Sequence, residues 1–280
     1  MGLFTKKRLF IIAALVLGIC VIFLAISYAS QDIAVLYIES GVVEVDVGTG
    51  WKTADDGMKL REQDIVKTGE GRATIVLHES IIVQIEPDSE IQIVDLDDSK
   101  TEISETVGSV WIKFTGVTGI DTLTIGTPKT VATVRGTEFW MSIDEVRVVE
   151  GEVEVVYNGQ KELVAPGEKA FVTKKNLLDR RELTEAEWDQ MREGIERNTK
   201  IMKKQRLRVL EKDRIVYSIA TNAFGLDRST AERYLDELDN NDEDLENLTS
   251  QLPYKPDSVK KAQAWTEEIR NNVRLLESIK

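Results

Sequence analysis

The sequence predicts an all-β domain that is preceded by one N-terminal transmembrane helix and followed by an α-helical C-terminal region. Three observations support this prediction: an unbroken apolar run, a long stretch in which apolar and polar residues alternate with a period of two, and helix-period segments near the C-terminus. They divide the chain into a short tail 1–8, a membrane helix 9–29, a β domain 32–175, a linker 176–183 and a helical region 184–280.

The apolar run is long enough to cross a membrane. From Leu9 to Ala29 it holds about 21 residues, and a helix of that length spans a hydrocarbon core roughly 30 Å thick. Lys6, Lys7 and Arg8 precede it, so the N-terminus is expected in the cytoplasm and the body outside it, as a single-pass protein of the cell membrane. A signal peptide cleaved after "SYA" is the alternative, but its apolar stretch is usually only about 7–15 residues long.

The β domain is predicted from many short alternating segments. In "GVVEVDVG", Val43, Val45 and Val47 face one way while Glu44 and Asp46 face the other. The same alternation continues in "RATIVLHESIIVQI", "EIQIVDL", "SVWIKF", "TEFWMSI", "EVRVV" and "EVEVVY". Turn-forming residues separate these segments, most clearly an Asn-Gly pair. The pattern is typical of a sandwich, a barrel or a short β-solenoid.

The segment "TPKTVATVRGTEFWMSI" contains the residues most easily mistaken for an active site. We interpret them as a structural turn between strands, in which Gly136 allows the backbone to turn or bulge. Thr137 suits the start of a strand, and Arg135 offers planar donors to carbonyl groups or to Glu138. Glu138 is the only candidate base, and Phe139 is an apolar strand residue.

The composition argues against most enzymatic and metal chemistry. The chain has one His and one Cys, so a Cys/His zinc site or an internal disulfide cannot be assembled. His78 is interpreted as a surface group at a turn, and no cofactor is expected. The net charge of -13 argues against nucleic acid, because phosphate binding requires clustered Lys and Arg. We therefore predict that the protein is not an enzyme.

Several segments resemble the FecR domain family. The resemblance rests on "DIVKTGEGRATI", "TPKTVATVRGTEF" and the closing "GEVEV…APGE", and it extends roughly from Gly41 to Thr173. It implies a β-rich extracytoplasmic domain, best known in proteins that pass a signal from an outer-membrane receptor to a cytoplasmic sigma factor, without enzymatic activity or cofactor. Those regulators carry a folded anti-sigma segment ahead of the membrane helix, whereas "MGLFTKKR" stands here, so a second membrane protein would have to relay a signal.

The helical region opens with a capping box, in which Thr184 caps the helix and Glu187 reaches back to it. The helix is expected to run to about Ala223. An apolar position recurs every seven residues along it, as in a coiled coil. This heptad seam consists of Trp188, Ile195, Met202, Val209 and Val216. The residues three positions further along are mostly polar, so we expect the helix to rest on other helices of this chain or on a partner.

The same helix carries a row of cations. This basic row consists of Arg197, Lys200, Lys204 and Arg208, with Lys203 and Arg206 close by. A solvated helix face is the simplest interpretation of it. The alternatives are contact with an anionic polymer or an acidic partner, or docking on the acidic body of this chain or of a neighbouring copy.

Three functions fit these features. The leading hypothesis is a non-enzymatic, membrane-anchored protein-binding or assembly module of the cell envelope, which contacts a protein partner or itself through the helical region. The second is a FecR-like transmembrane signalling regulator that acts through another membrane protein. The third is a cell-wall or glycan-binding module, in which Trp51, Trp111 and Trp140 stack on sugars if they are exposed.

Overall fold

A computed structural model describes residues 33–97, 99–117, 119–213, 228–240 and 256–279. The predicted tail 1–8 and membrane helix 9–29 lie outside these residues. None of the helices in the described ranges is both long and apolar enough to span a bilayer. The described strands form a β-sandwich of two sheets, which helices follow along the chain.

One sheet, which we call sheet A, carries the helices on its outer face. Its strands are β1 (Ala34–Ser40), β4 (Met58–Lys59), β6 (Arg72–Leu77), β7 (Ile81–Ile85), β10 (Ser109–Phe114), β13 (Glu138–Ser142), β14 (Glu145–Glu150), β17 (Glu168–Val172) and β18 (Leu178–Glu182). Across the sheet they follow the order β18-β17-β14-β13-β10-β7-β6-β1-β4. All of these neighbours pair antiparallel.

The other sheet, sheet B, alternates with sheet A along the chain. Its strands are β2 (Val43–Asp46), β3 (Trp51–Thr53), β5 (Ile65–Thr68), β8 (Glu90–Leu96), β9 (Thr101–Val107), β11 (Leu123–Gly126), β12 (Thr130–Val134), β15 (Val153–Tyr157) and β16 (Gln160–Val164). Their spatial order is β16-β15-β12-β11-β9-β8-β5-β2-β3. The pairing of β9 with β11 is parallel, and the other neighbours are antiparallel.

The main core lies between the two sheets and is built by the alternation seen in the sequence. Val43 and Val45 are fully buried while Glu44 between them is exposed. Sheet A contributes residues such as Leu36, Ile75, Val83, Ile112 and Phe139, and sheet B residues such as Val66, Ile93, Ile103, Leu123 and Val155. Strand β7 is buried at every position, which is expected of a strand that is covered on both faces.

Three helices are described: α1 (Glu185–Lys212), α2 (Arg228–Asn240) and α3 (Asp257–Ser278). Helix α1 begins at the predicted capping box, since Glu187 N donates to Thr184 Oγ1 and Thr184 N donates to Glu187 Oε2. Asp213 is its C-cap, so the end predicted near Ala223 and the seam residue Val216 fall in the range 214–227, outside the described residues.

Helices α1 and α3 run antiparallel to each other. Arg192 Nη2, near the start of α1, donates to Ile279 O at the end of α3 over 2.7 Å. In the middle, Asn272 Nδ2 lies 3.4 Å from Thr199 Oγ1. At the other end, Ser258 Oγ donates to Asp213 Oδ2 over 2.7 Å. The two helices therefore form one layer on sheet A.

The predicted linker 176–183 contains a strand, β18, in place of an irregular connector. Leu178 is buried, and the strand pairs with β17 along its length. Its arginines face carboxylates: Arg180 Nη1 lies 2.7 Å from Glu168 Oε2, and Arg181 Nη1 lies 2.8 Å from Glu187 Oε2. The charged side chains of this segment therefore form ion pairs at a sheet edge.

Candidate functional site

The helical layer covers the outer face of sheet A at very short range. A Cβ built at Gly194 in α1 would lie 2.3 Å from ring atoms of Trp111 in β10, so the helix backbone rests on the indole. Trp111 belongs to a cluster with Val149, Leu183, Met191 and Ile195. Glycine is unfavourable inside a helix by about 1 kcal/mol relative to alanine, and the close approach explains its presence here.

The described residues of the heptad seam pack against other parts of the same chain. Ile195 packs in the Trp111 cluster, and Met202 and Val209 pack with Ile82, Trp265 and Ile269. Trp188 is half-buried and lies beside Gly167. The described part of the seam thus meets sheet A and helix α3. Contact with another helix of this chain was one of the two arrangements that the sequence left open, whereas contact with the sheet was not predicted.

A buried polar cluster, which we call the Glu138 cluster, joins α1 to sheet A. Glu138 Oε1 accepts hydrogen bonds from Trp111 Nε1 at 3.0 Å and from Asn198 Nδ2 at 2.7 Å. Asn198 Oδ1 in turn accepts from Gln84 Nε2 at 2.6 Å. Lys113 Nζ lies 3.5 Å from Glu138 Oε2, and all five side chains are at most 3 % exposed.

Lys113 is the cation at the centre of three carboxylates. Besides Glu138, its Nζ lies 2.5 Å from Glu150 Oε2 and 3.0 Å from Glu268 Oε2 on α3. Burial lowers the pKa of Lys113, but attraction to these carboxylates outweighs it and keeps the pKa above its ordinary value. Burial raises the pKa of Glu138, against the opposing effects of Lys113, Asn198 and Trp111. The cluster therefore connects helices α1 and α3 to sheet A.

The other residues of the turn motif have structural positions. Arg135 and Gly136 are exposed between β12 and β13, and Gly136 has a φ of 60°. Thr137 O accepts from Phe114 N at 2.8 Å, and Phe139 is fully buried in the main core. Sequence reasoning identified the turn but missed that Glu138 bonds to Trp111 and Asn198. The signal was a carboxylate at the start of an alternating strand, on the same face as Trp140.

The basic row lines an open cleft beside the helical layer. The cleft has a volume of about 330 Å³, and all four predicted cations, Arg197, Lys200, Lys204 and Arg208, border it from α1. Its other wall belongs to sheet A and the loop before β4, with Tyr37, Glu39, Asp56 and Thr74. The sequence predicted the row on one helix, and the tertiary structure adds the opposite wall. We call this site the basic cleft.

The four cations of the row differ in how they are held. Arg197 forms an ion pair with Glu86 and donates to Gln84 Oε1 at 3.2 Å. The guanidinium of Arg208 lies 3.6 Å from the ring centroid of Tyr37, a cation–π contact. Lys200 and Lys204 are exposed, and neither has an ion pair within the described residues. The two ends of the row are therefore anchored, and the two lysines between them face the cleft.

The carboxylates opposite the row already accept hydrogen bonds. Asp56 Oδ1 accepts from the backbone N–H of Ile38 at 2.8 Å, and Glu39 accepts from the Thr74 hydroxyl. The nearby cations Lys203 and Arg206 point to α2 instead, since Lys203 Nζ lies 2.9 Å from Asp236 and Arg206 Nη1 lies 2.5 Å from Asp239. The cleft thus presents the ammonium groups of Lys200 and Lys204 opposite two carboxylates that already accept hydrogen bonds.

The remaining sequence candidates lie apart from the cleft. His78, in the turn between β6 and β7, has its Nε2 3.0 Å from Thr101 Oγ1. Trp111 is buried, Trp140 is half-buried beneath Arg147, and Trp51 is 45 % exposed on sheet B. Two of the three tryptophans of the glycan hypothesis are therefore not on an open surface. In the described ranges, no group of His, Cys, Asp or Glu is arranged to hold a metal ion.

Comparison with protein families gives a match within the β-sandwich. The family model described as "FecR protein" matches residues 64–157, from the turn before β5 to the end of β15. The chain contains a FecR domain. The match includes the turn motif 135–139, whereas all three helices and the basic row lie beyond it.

Two solved structures to which part of this chain is similar are crystal structures, at 2.50 Å and 1.65 Å resolution, of a proposed anti-sigma factor from Parabacteroides distasonis ATCC 8503. The first is 14 % identical with a TM-score of 0.38 and covers 41 % of this chain, and the second is 15 % identical with a TM-score of 0.37 and covers 42 %. The matches span 57 % and 59 % of those chains. No curated protein matches this chain.

Proposed function

We propose that this FecR-domain protein is a non-enzymatic, membrane-anchored regulator of the cell envelope that works by binding another protein. The observation that carries the proposal is the FecR domain at residues 64–157. Its anchor would be the apolar segment 9–29, and its body would lie on the extracytoplasmic side.

The roles of the acidic groups around Lys113 favour a non-enzymatic function. Glu138 accepts two hydrogen bonds from groups that hold α1 on the sheet, and Glu150 and Glu268 neutralise Lys113. A catalytic acid or base must be within reach of a substrate, whereas Glu138 is fully buried beneath the helices. These carboxylates stabilise the joint between helices and sheet.

The packing of the helices determines which part of α1 remains available to a partner. The described seam residues are covered by sheet A and α3, so the partner would contact the surface that remains, which includes the exposed flank of α1 with the basic row. The Glu138 cluster holds α1, and with it the basic row, on sheet A.

The experiment is in-cell cross-linking of the tagged full-length chain, followed by mass spectrometry, together with transcript profiles of cells that lack the protein. We expect a small set of envelope proteins in the cross-links and a change in a limited set of transcripts. Cross-links to partners without any transcript change would indicate an assembly module and refute the regulatory role. Recovery of glycan or of nothing at all would refute protein binding.

A further inference from the structure

The basic row along the cleft is longer than the binding site of a single small anion. Arg197 and Arg208 are eleven positions apart on one helix, which corresponds to about 16 Å at a rise of 1.5 Å per residue. An extended peptide covers the same distance with about five residues, since a strand rises about 3.3 Å per residue. The ligand that uses the whole row is therefore elongated.

The opposite wall restricts the charge density that the cleft accepts. Glu39 and Asp56 face the row across a cleft of about 330 Å³, which is at the small end of ligand pockets, roughly 300–1,000 Å³. A densely charged polyphosphate chain would be repelled by these carboxylates, whereas spaced carboxylates on a peptide could contact the row and avoid them.

The rest of the molecule argues against two other anionic partners. The chain has a net charge of -13, so a nucleic acid that bound the row would meet an acidic surface beyond it. An anionic membrane presents an extended plane of headgroups, whereas these lysines border a concave cleft whose opposite wall carries the carboxylates of Glu39 and Asp56. An acidic peptide segment is narrow enough to enter without either conflict.

We propose that the basic cleft, between α1 and the β1–β6 part of sheet A, binds an extended acidic segment of a protein partner, with Lys200 and Lys204 as the principal contacts. Arg197 and Arg208, held by Glu86 and Tyr37, keep the two ends of the row in place. This inference rests on the proposed function in one respect, because it assumes that the partner is a protein.

The test is fluorescence anisotropy with the full-length chain in detergent and a fluorescein-labelled peptide that contains five Glu residues. The Lys200→Glu/Lys204→Glu pair should weaken binding by about tenfold or more, because the complementary charges are reversed. The matched control is Lys174→Glu/Lys175→Glu, two exposed lysines in the turn between β17 and β18, which changes the net charge equally. The control should bind within about twofold of the unmodified chain, since β17 and β6 are separated by five strand spacings of about 4.8 Å. This separation is well beyond the Debye length of about 8 Å.

Three results would overturn the inference. The first is equal binding of a Gln peptide of the same length, and the second is equal weakening by the control pair. The third is tighter binding of tripolyphosphate or of vesicles with anionic lipid that depends on Lys200 and Lys204, because the site would then serve a small anion or a membrane.

The two proposals fail in distinguishable ways. In-cell cross-linking repeated with the Lys200→Glu/Lys204→Glu chain should lose the protein partner. If the partner is retained by this chain, the cleft inference is refuted while the proposed function stands. If neither chain cross-links to a protein, the proposed function itself is refuted.

Discussion

Gly194 of α1 lies directly on the indole of Trp111 in β10, so close that a Cβ at position 194 would be 2.3 Å from Cε3 and Cζ3 of the ring. Trp111 is 1 % exposed, and its Nε1 donates to Glu138 beneath the same helix. One glycine thus sets the distance at which the helical layer binds the FecR domain.

The Gly194→Ala variant should be less stable although alanine favours the helix by about 1 kcal/mol. The added methyl group cannot be accommodated without moving α1 or the indole, so we expect the free energy of unfolding to fall by about 1–3 kcal/mol. Urea unfolding followed by tryptophan fluorescence measures the change. Glu196→Ala, at an exposed position of the same helix, is the matched control. Equal or greater stability of Gly194→Ala would contradict the close contact.

Removal of the cation in the Glu138 cluster should be strongly destabilising. Lys113→Met leaves Glu138 buried without its counter-charge, which typically costs about 3–5 kcal/mol. Glu150 and Glu268 are partly exposed and can be solvated. The Lys113→Met/Glu138→Gln pair removes both buried charges and should recover part of the loss, as measured by denaturant unfolding. A double variant as unstable as Lys113→Met alone would show that the charge of Glu138 is not the cause.

Glu105 in β9 should make the protein less stable as the pH rises. Its side chain is fully buried and neither carboxyl oxygen has a hydrogen-bond partner, so burial raises its pKa from 4.5 to about 8. The folded state therefore holds a proton that the unfolded state has already released. The stabilising effect of this proton is complete below pH 4.5 and is lost as the pH rises to about 8.

The measurement is the free energy of unfolding at several pH values for the unmodified chain and for Glu105→Gln. The unmodified chain should lose on the order of a few kcal/mol across this window, and the variant should lose less. Glu44→Gln, at an exposed position of β2, should retain the full slope. Parallel curves for the unmodified chain and Glu105→Gln would refute the assignment.

Helix α2 should depend on the pair formed by Arg206 and Asp239. Both side chains are 1 % exposed, and Arg206 also donates to Thr266 Oγ1 of α3 at 3.0 Å. Arg206→Met would leave the buried Asp239 with Lys203 Nζ, at 3.1 Å, in place of a two-point pair with the guanidinium, so we expect amide hydrogen exchange in residues 228–240 to accelerate by about tenfold or more. Lys204→Met, on the cleft side of α1, should leave exchange in α2 unchanged. No difference between the two variants would mean that other contacts hold α2.

Local features of this protein could be predicted from its sequence because their causes are local. The period-two alternation of Val43, Glu44 and Val45 follows from the geometry of a strand and correctly assigned the buried face. The capping box of Thr184 and Glu187 depends on residues three positions apart and is present as expected. The heptad seam and the basic row follow in the same way from helical periodicity.

Only the tertiary structure shows what packs against each face of the strands. Alternation places Trp111 on the face opposite Ile112 and Trp140 on the face opposite Met141, but a strand pattern does not say whether that face meets water or a helix far along the chain. The contacts from Asn198 to Glu138 and from Gly194 to Trp111 join positions 60 and 83 residues apart, and no local rule links them. The charged strand β18 is a strand because β17 and Glu187 are beside it. The sequence by itself thus determined the elements and their faces, whereas the joint between helices and sheet, and the cleft beside it, arose from non-local packing.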